Sequence, residues 1–301
     1  LKPIQSQAGA HILQDLSIPF CYLWSPSLIP KPLDWGPHID VVGFCSLEGE
    51  ILRAKAVGSG MAKWEPSGEV RQFLAELDHR GKPRPKPIFV GFGSCVVENP
   101  DKLVTTITAA AEAAEVRIVL QAGWAGLSSK SSDNVMMIGS APHDVLFRHV
   151  AAVCHHGGAG TTVAGLRAGL PTIVVPFFGD QPFWSGQMVA NCGAGPQPIP
   201  ITKLSKELLT NAFRFVYRED VKTQAVLLSK TLLAEQGATG GLRAFHRQLP
   251  SMACDLDSSR VARVECPECD LKLSWIADHV VHIGERSNHQ RAPYKICHWD
   301  L

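Results

Sequence analysis

The run Cys154-His155-His156-Gly157-Gly158-Ala159-Gly160-Thr161-Thr162 constrains the fold more than any other part of this chain. Val150 to Cys154, just before it, is an apolar stretch of strand type. Thr161 to Ala168, just after it, has helical spacing, with Val163, Leu166 and Arg167 in reach of one another. The glycines therefore sit where a buried strand turns into a helix. Glycine there lets the backbone approach a ligand closely, and the unpaired amides and dipole of the helix start favour a phosphate. Two adjacent imidazoles stand beside that anion hole. A purely structural glycine turn is the plainer reading, but neighbouring strand residues point to opposite faces, so His155 and His156 cannot both face one core. A dinucleotide turn fits poorly. It asks for Gly-x-Gly-x-x-Gly or Ala, whereas Gly158-Ala159-Gly160-Thr161-Thr162 runs into Val163, and no lone acidic residue ends the next strand at the expected spacing.

Around this turn, apolar segments alternate with helical ones. Ile88 to Gly91, Val116 to Gln121, Val135 to Ile138, Val150 to Cys154 and Thr172 to Val175 read as strands. Asn99-Pro100 opens a helix through Leu103, Ile107, Ala110 and Ala114, with proline where a first turn tolerates it. Leu204 to Val216 and Val221 to Glu235 read as closing helices. The alternation predicts an α/β fold with a parallel sheet covered on both faces and ligands at the carboxyl ends of the strands, where Ser94, Ser140 and His155 fall. Upstream, residues 1–50 read as irregular apart from a short strand at Asp40 to Phe44, and Val70, Phe73, Leu74 and Leu77 follow a cap at Ser67. Gly81-Lys82-Pro83-Arg84-Pro85-Lys86-Pro87 predicts a stiff, extended linker at a lobe boundary.

Charge and thiols narrow the class. Among 301 residues, 29 lysines and arginines nearly balance 28 acidic residues, so no basic surface argues for nucleic acid. Nine cysteines, with no framework spacing before residue 254, favour reduced thiols and a cytoplasmic setting. No apolar run approaches the roughly 20 residues of a membrane-spanning helix.

Several further motifs stand in order along the chain. Trp24-Ser25-Pro26-Ser27-Leu28-Ile29-Pro30-Lys31-Pro32 and Asp34-Trp35-Gly36-Pro37 lead into Asp40-Val41-Val42-Gly43-Phe44. Then come Phe89-Val90-Gly91-Phe92-Gly93-Ser94, Gly123-Trp124-Ala125-Gly126-Leu127, Pro142-His143-Asp144-Val145-Leu146-Phe147, the double-histidine turn, and Pro176-Phe177-Phe178-Gly179-Asp180-Gln181-Pro182-Phe183-Trp184. In this order, over about residues 20–250, the chain resembles the sterol glucosyltransferases, a branch of the family-one UDP-glycosyltransferases with the two-lobed GT-B fold.

The resemblance implies a Rossmann-like donor lobe at residues 87–249, preceded at 1–86 by the end of an acceptor lobe and an inter-lobe segment. It implies direct displacement by a sterol hydroxyl at the anomeric carbon of UDP-glucose, with inversion and no essential metal. Ser94, His155, His156, Gly157, Gly158, Gly160, Thr161 and Thr162 would then meet the diphosphate, and Asp180 and Gln181 the sugar hydroxyls. Ser140-Ala141-Pro142-His143 stands where plant enzymes of the family carry Trp-Ala-Pro-Gln, so uracil would rest on backbone near Ser140 and Ala141, with Trp124 as an aromatic wall. His143 reads equally as a helix-start residue, and Trp184 equally as packing. The family's glycine-rich opening loop and histidine general base match nothing in this sequence, so the chain is expected to be a fragment, inactive alone, with no catalytic base of its own.

Two alternatives remain at this point. One is a glycosyltransferase of the same fold acting on another lipid or small molecule; the other is a non-catalytic UDP-sugar-binding module. A lipid acceptor would bring peripheral membrane contact. Residues 250–301 change character: Cys266-Pro267-Glu268-Cys269 with His279 and His282 downstream could hold a zinc ion, although the spacing is shorter than in common fingers and an ordinary reduced tail is the plainer expectation.

Overall fold

A computed structural model of the chain describes residues 17–45, 65–77, 80–93, 95–122 and 133–248. The chain divides into two compact units, Leu1–Phe245 and His246–Leu301; beyond residue 248 the second lies outside the described residues.

The first unit is built on a five-stranded parallel sheet. Its strands are β3 (Ile88–Gly91), β4 (Ile118–Gln121), β5 (Val135–Ile138), β6 (Ala152–His155) and β7 (Thr172–Val174), in the order β5-β4-β3-β6-β7. A sheet buried on both faces needs apolar residues at every strand position, and the period-2 pleat still sorts them. Ile88, Val90, Ile118, Leu120, Ala152 and Cys154 enter one core with helix α2 (Pro100–Ala114) and helix α6 (Lys206–Phe215). Phe89, Val119 and Val153 enter another, with Leu146 and Phe147. The third core lies where helix α4 (Ala159–Arg167) meets helix α7 (Glu219–Ala234), around Leu166, Val174, Val189, Ala225 and Leu232.

Local signals account for most boundaries. Asn99 caps α2 by accepting from Lys102 N at 2.9 Å, with Pro100 in the first turn, and Glu115 closes it in the left-handed region at φ +59°. Helix α1 (Gly68–Leu74) is capped by Ser67, and its apolar face, Val70, Phe73 and Leu74, packs into the core of Phe89 and Val119. The proline-rich stretch after it is folded back rather than free. Pro83 bridges antiparallel to Leu77, Arg84 N donates to Glu76 O at 2.8 Å, and the Arg84 and Arg117 guanidinium groups donate to carbonyls at the end of α1, among them Phe73 O. α1 thus shares its core with the sheet that follows the prolines.

Residues 17–45 carry a small parallel pair, β1 (Phe20–Tyr22) and β2 (Ile39–Val41). The strand expected at Asp40 to Phe44 begins one residue earlier and ends at Val41, and β1 carries too few residues to show a period. This segment clasps the turn between α7 and helix α8 (Gly237–Gln248). Buried Ser25 Oγ donates to Glu235 Oε1 at 2.6 Å, and Gly237 lies so close to the Phe44 carbonyl that no Cβ would fit. Helix α8 was not expected, because its glycines mask the helical pattern. Among the described residues, no helix is long and apolar enough to cross a membrane.

Candidate functional site

The strand order sets the site. β3 and β6 are neighbours from which the chain departs in opposite directions across the sheet, and such a switch point opens a crevice at the carboxyl ends. The register pairs Gly91 with His155, so the turns Gly91-Phe92-Gly93 and His155-His156-Gly157 lie side by side. Ser94, the next residue of the first turn, lies outside the described residues, as do Trp124, Cys266, Cys269, His279 and His282.

The two histidines divide as strand geometry requires. His155, the last residue of β6, is fully buried, and its Nδ1 accepts from Gly157 N–H at 2.9 Å. Burial, reinforced by His156 and His143, pushes the His155 imidazole down to about 3, so the ring is neutral at physiological pH. With Nδ1 accepting, its proton sits on Nε2, a buried atom with no hydrogen-bond partner. His156 is half-buried, its affinity for a proton also lowered by burial, and its ring lies between the backbones of Gly93 and Gly158. His156 Nδ1 is likewise buried and unpartnered.

Gly157 takes φ +93°, and a Cβ there would meet Val174 Cγ1 at 2.9 Å, so both conformation and space demand glycine. Its amide is already given to His155, so its contribution is the shape of the turn. Gly158 then caps α4 with no side-chain hydrogen bond, and the first intrahelical bond runs from Thr162 N–H to Gly158 O at 3.0 Å. Ala159, Gly160 and Thr161 amides therefore have no acceptor within the helix. Thr162 is buried and its hydroxyl donates back to Gly158 O at 2.9 Å. Of the two threonines, Thr161 keeps its hydroxyl proton for another acceptor.

A cavity of about 460 Å³ runs along the outer face of α4. Ala159 and Gly160 line its end at the helix start; Leu23, Phe44, Asp144 and Arg167 line its flanks. Gly160, Ala164 and Ala168 recur every four residues on that face and leave it shallow. That spacing of small residues was the signal available in the sequence.

The loop after β7 faces this turn. Gln181 is buried, and its Oε1 accepts from Phe177 N at 2.8 Å and Phe178 N at 3.3 Å, which holds the loop and leaves the side-chain amide nitrogen to donate. Its Cβ comes within 3.4 Å of where a Cβ on Gly157 would stand, so the two turns touch. Asp180 is exposed at the start of helix α5 (Gln181–Ser185) and makes no side-chain cap; its Oδ2 accepts from Trp184 Nε1 at 2.5 Å. That contact was not anticipated, although the four-residue spacing of Asp180 and Trp184 permits it.

Ser140, exposed, and Ala141, buried, follow β5 on the same carboxyl edge, two strands beyond β3. His143 opens helix α3 (His143–Leu146) and stacks on Phe147, with ring centroids 4.7 Å apart and planes at 10°. It is a packing residue. Among the described residues, no three His, Cys, Asp or Glu side chains gather as a metal site.

A family model described as Erythromycin biosynthesis protein CIII-like, C-terminal domain, matches residues 104–239. A sterol 3-beta-glucosyltransferase of Arabidopsis thaliana is 43% identical over 253 residues, which are 83% of this chain and 37% of the relative. The chain thus spans little more than a third of that relative's length. Among solved structures, the glycotransferase of kitacinnamycin matches with a TM-score of 0.60 and 20% identity, over 81% of this chain and 59% of that one. Arabidopsis thaliana UGT89C1 complexed with UDP matches with a TM-score of 0.53 and 18% identity, over 75% and 57%. At these identities the structures share the fold, that of the GT-B glycosyltransferases. The ordered motifs, the parallel sheet that carries them and the identity over most of the chain together make it a homologue of sterol 3-beta-glucosyltransferases, with the GT-B fold and an EryCIII-like C-terminal domain over residues 104–239.

Proposed function

We propose that this chain supplies the UDP-glucose site of a sterol glucosyltransferase. The observation that carries the reading is the start of α4. Three amides without intrahelical acceptors stand in the turn after β6, at the switch point of the sheet, beside a half-buried neutral histidine. Such a place suits a diphosphate.

In this reading the sterol oxygen attacks the anomeric carbon as the bond to the diphosphate breaks, and UDP leaves with the bonding electrons. The Ala159, Gly160 and Thr161 amides, the Thr161 hydroxyl and His156 stabilise the charge that develops, because they are fixed before reaction begins. His155 holds the turn through Gly157. Gln181 and Asp180 address the glucose hydroxyls, and the backbone at Ser140 and Ala141, with Ser94 and Trp124, completes the nucleotide site. The proton of the sterol hydroxyl needs a base within hydrogen-bond reach. His143 is stacked, and His155 has its one free lone pair on Gly157 N–H, so neither serves.

The sterol, a lipid, is the acceptor, with peripheral contact at a membrane surface and a cytoplasmic setting, which the free thiols of Cys45, Cys95, Cys154 and Cys192 accord with. In this reading residues 87–249 are the UDP-sugar-binding lobe, onto whose sheet α1 of the preceding segment packs, and residues 250–301 are a tail. The test is calorimetry of the 301-residue chain with UDP and UDP-glucose, together with mass spectrometry for sterol glucoside. Binding of both without glucoside is expected. Absence of UDP binding overturns the donor site, and steady glucoside production overturns the need for a base from outside the residues named here.

A further inference from the structure

Asp180 is exposed and heads a helix of five residues without capping it, so no backbone amide of that helix fixes the carboxylate. An exposed aspartate samples several rotamers, and a sugar contact made by it costs the entropy of choosing one. Here a single donor makes the choice: Trp184 Nε1–H donates to Asp180 Oδ2 at 2.5 Å. The Trp184 ring is itself held from the other end of the sequence. It lies 5.4 Å from the Trp24 ring at 54°, and it packs with Leu28 and Ile29 against the core of Leu166 and Val174. Trp24 is fixed by donating its own indole N–H to Ile29 O at 3.0 Å and by lying 4.2 Å from Tyr22, which stacks on Trp35 at 4.7 Å. An unbroken line of rings thus runs from residues 20–35 to one oxygen of Asp180.

We propose that Trp184 is a positioning residue for the sugar: its indole N–H, steadied by Trp24, orients the Asp180 carboxylate so that Oδ1 and the outer lone pair of Oδ2 face two neighbouring hydroxyls of the hexose. The proposal rests on the reading of Asp180 as a sugar contact. A charge-assisted bond from a rigid indole suits this role, because it removes rotamers from the carboxylate without neutralising it.

The test is calorimetry of the 301-residue chain with UDP and UDP-glucose as separate titrants. Trp184→Phe keeps a ring against Trp24 and removes the donor. It is expected to weaken UDP-glucose about fivefold, the scale of one hydrogen bond, and to leave UDP unchanged within about twofold. Asp180→Ala, on an exposed side chain, weakens UDP-glucose as well, and adding Trp184→Phe to it produces no further loss. Equal weakening of UDP and UDP-glucose in Trp184→Phe overturns the positioning role, and so do additive losses in the double variant. If Trp184→Phe does not fold, Trp24→Leu reads the same line of contacts: loss confined to UDP-glucose supports it, and equal loss of both titrants overturns it. Failure of the unaltered chain to bind UDP overturns the donor site itself.

Discussion

The turn after β6 and the turn after β7 stand side by side at one edge of the sheet, yet they are built on opposite principles. The first is made of backbone. His155 is sealed inside and satisfies Gly157, Gly157 can only be glycine, and the donors that remain belong to the frame of a nine-residue helix. The second is made of side chains. Gln181 holds its loop with one oxygen, and Asp180 leans on an indole steadied from far away in sequence. A charged group common to many ligands can be met by fixed amides, whereas hydroxyl patterns need directional side chains that can differ between relatives.

If that contrast is right, damage to the first turn removes all binding and damage to the second removes only discrimination. Gly157→Val, at φ +93° and against Val174, has the largest effect: no UDP binding by calorimetry in a chain that circular dichroism shows to be folded. Gly158→Val drives its side chain into the His156 ring and gives nearly as large a loss. In a glucosyltransferase assay of an active full-length relative carrying these residues, the His155→Ala equivalent lowers kcat by about 10²-fold, the scale of a disturbed preorganised donor set. Asp180→Ala weakens UDP-glucose by about tenfold and spares UDP, the signature of a lost hydrogen bond to a charged group; equal losses would merge the two turns into one site.

A pH series probes the buried histidine. The folded chain refuses a proton on His155 until about pH 3, while the unfolded chain accepts one near the ordinary imidazole value of about 6.5. Stability is therefore independent of this group above that value and declines as pH falls below it, by up to about 1.4 kcal/mol per pH unit. His143 and His156, both also lowered by burial, add to the same slope. Urea midpoints of His155→Gln should fall less steeply with acid than those of the unaltered chain; an unchanged slope would place the proton-refusing groups elsewhere. The smallest effect separates the threonines. Thr161→Val weakens UDP severalfold, whereas Thr162→Val loses about 1 kcal/mol of stability through its bond to Gly158 O and leaves UDP affinity alone.

The glycine–histidine run, the alternation of strands and helices over residues 88–235 and the caps at Ser67 and Asn99 are legible in the sequence, because each is a local event: a period, a cap, a φ that only glycine tolerates; β1 and α8 are not. Opposite faces for His155 and His156 followed from the pleat alone. What the sequence left open was whatever depends on contact between distant segments. The proline-rich stretch reads as an extended spacer, since local chemistry says so, but Pro83 and Arg84 fold it back onto α1. Thr161 and Thr162 are alike as letters; only the helix start decides that one hydroxyl is spent on Gly158 O. Trp184 gave no choice between packing and ligand contact, because its ring partner Trp24 is brought to it only by the clasp of residues 17–45 on the α7–α8 turn. The sequence by itself determined a strand, a glycine turn and a helix with open amides. Tertiary structure decided which polar groups face the crevice and which are already satisfied, because a hydrogen bond once made inside the fold is not available to a ligand.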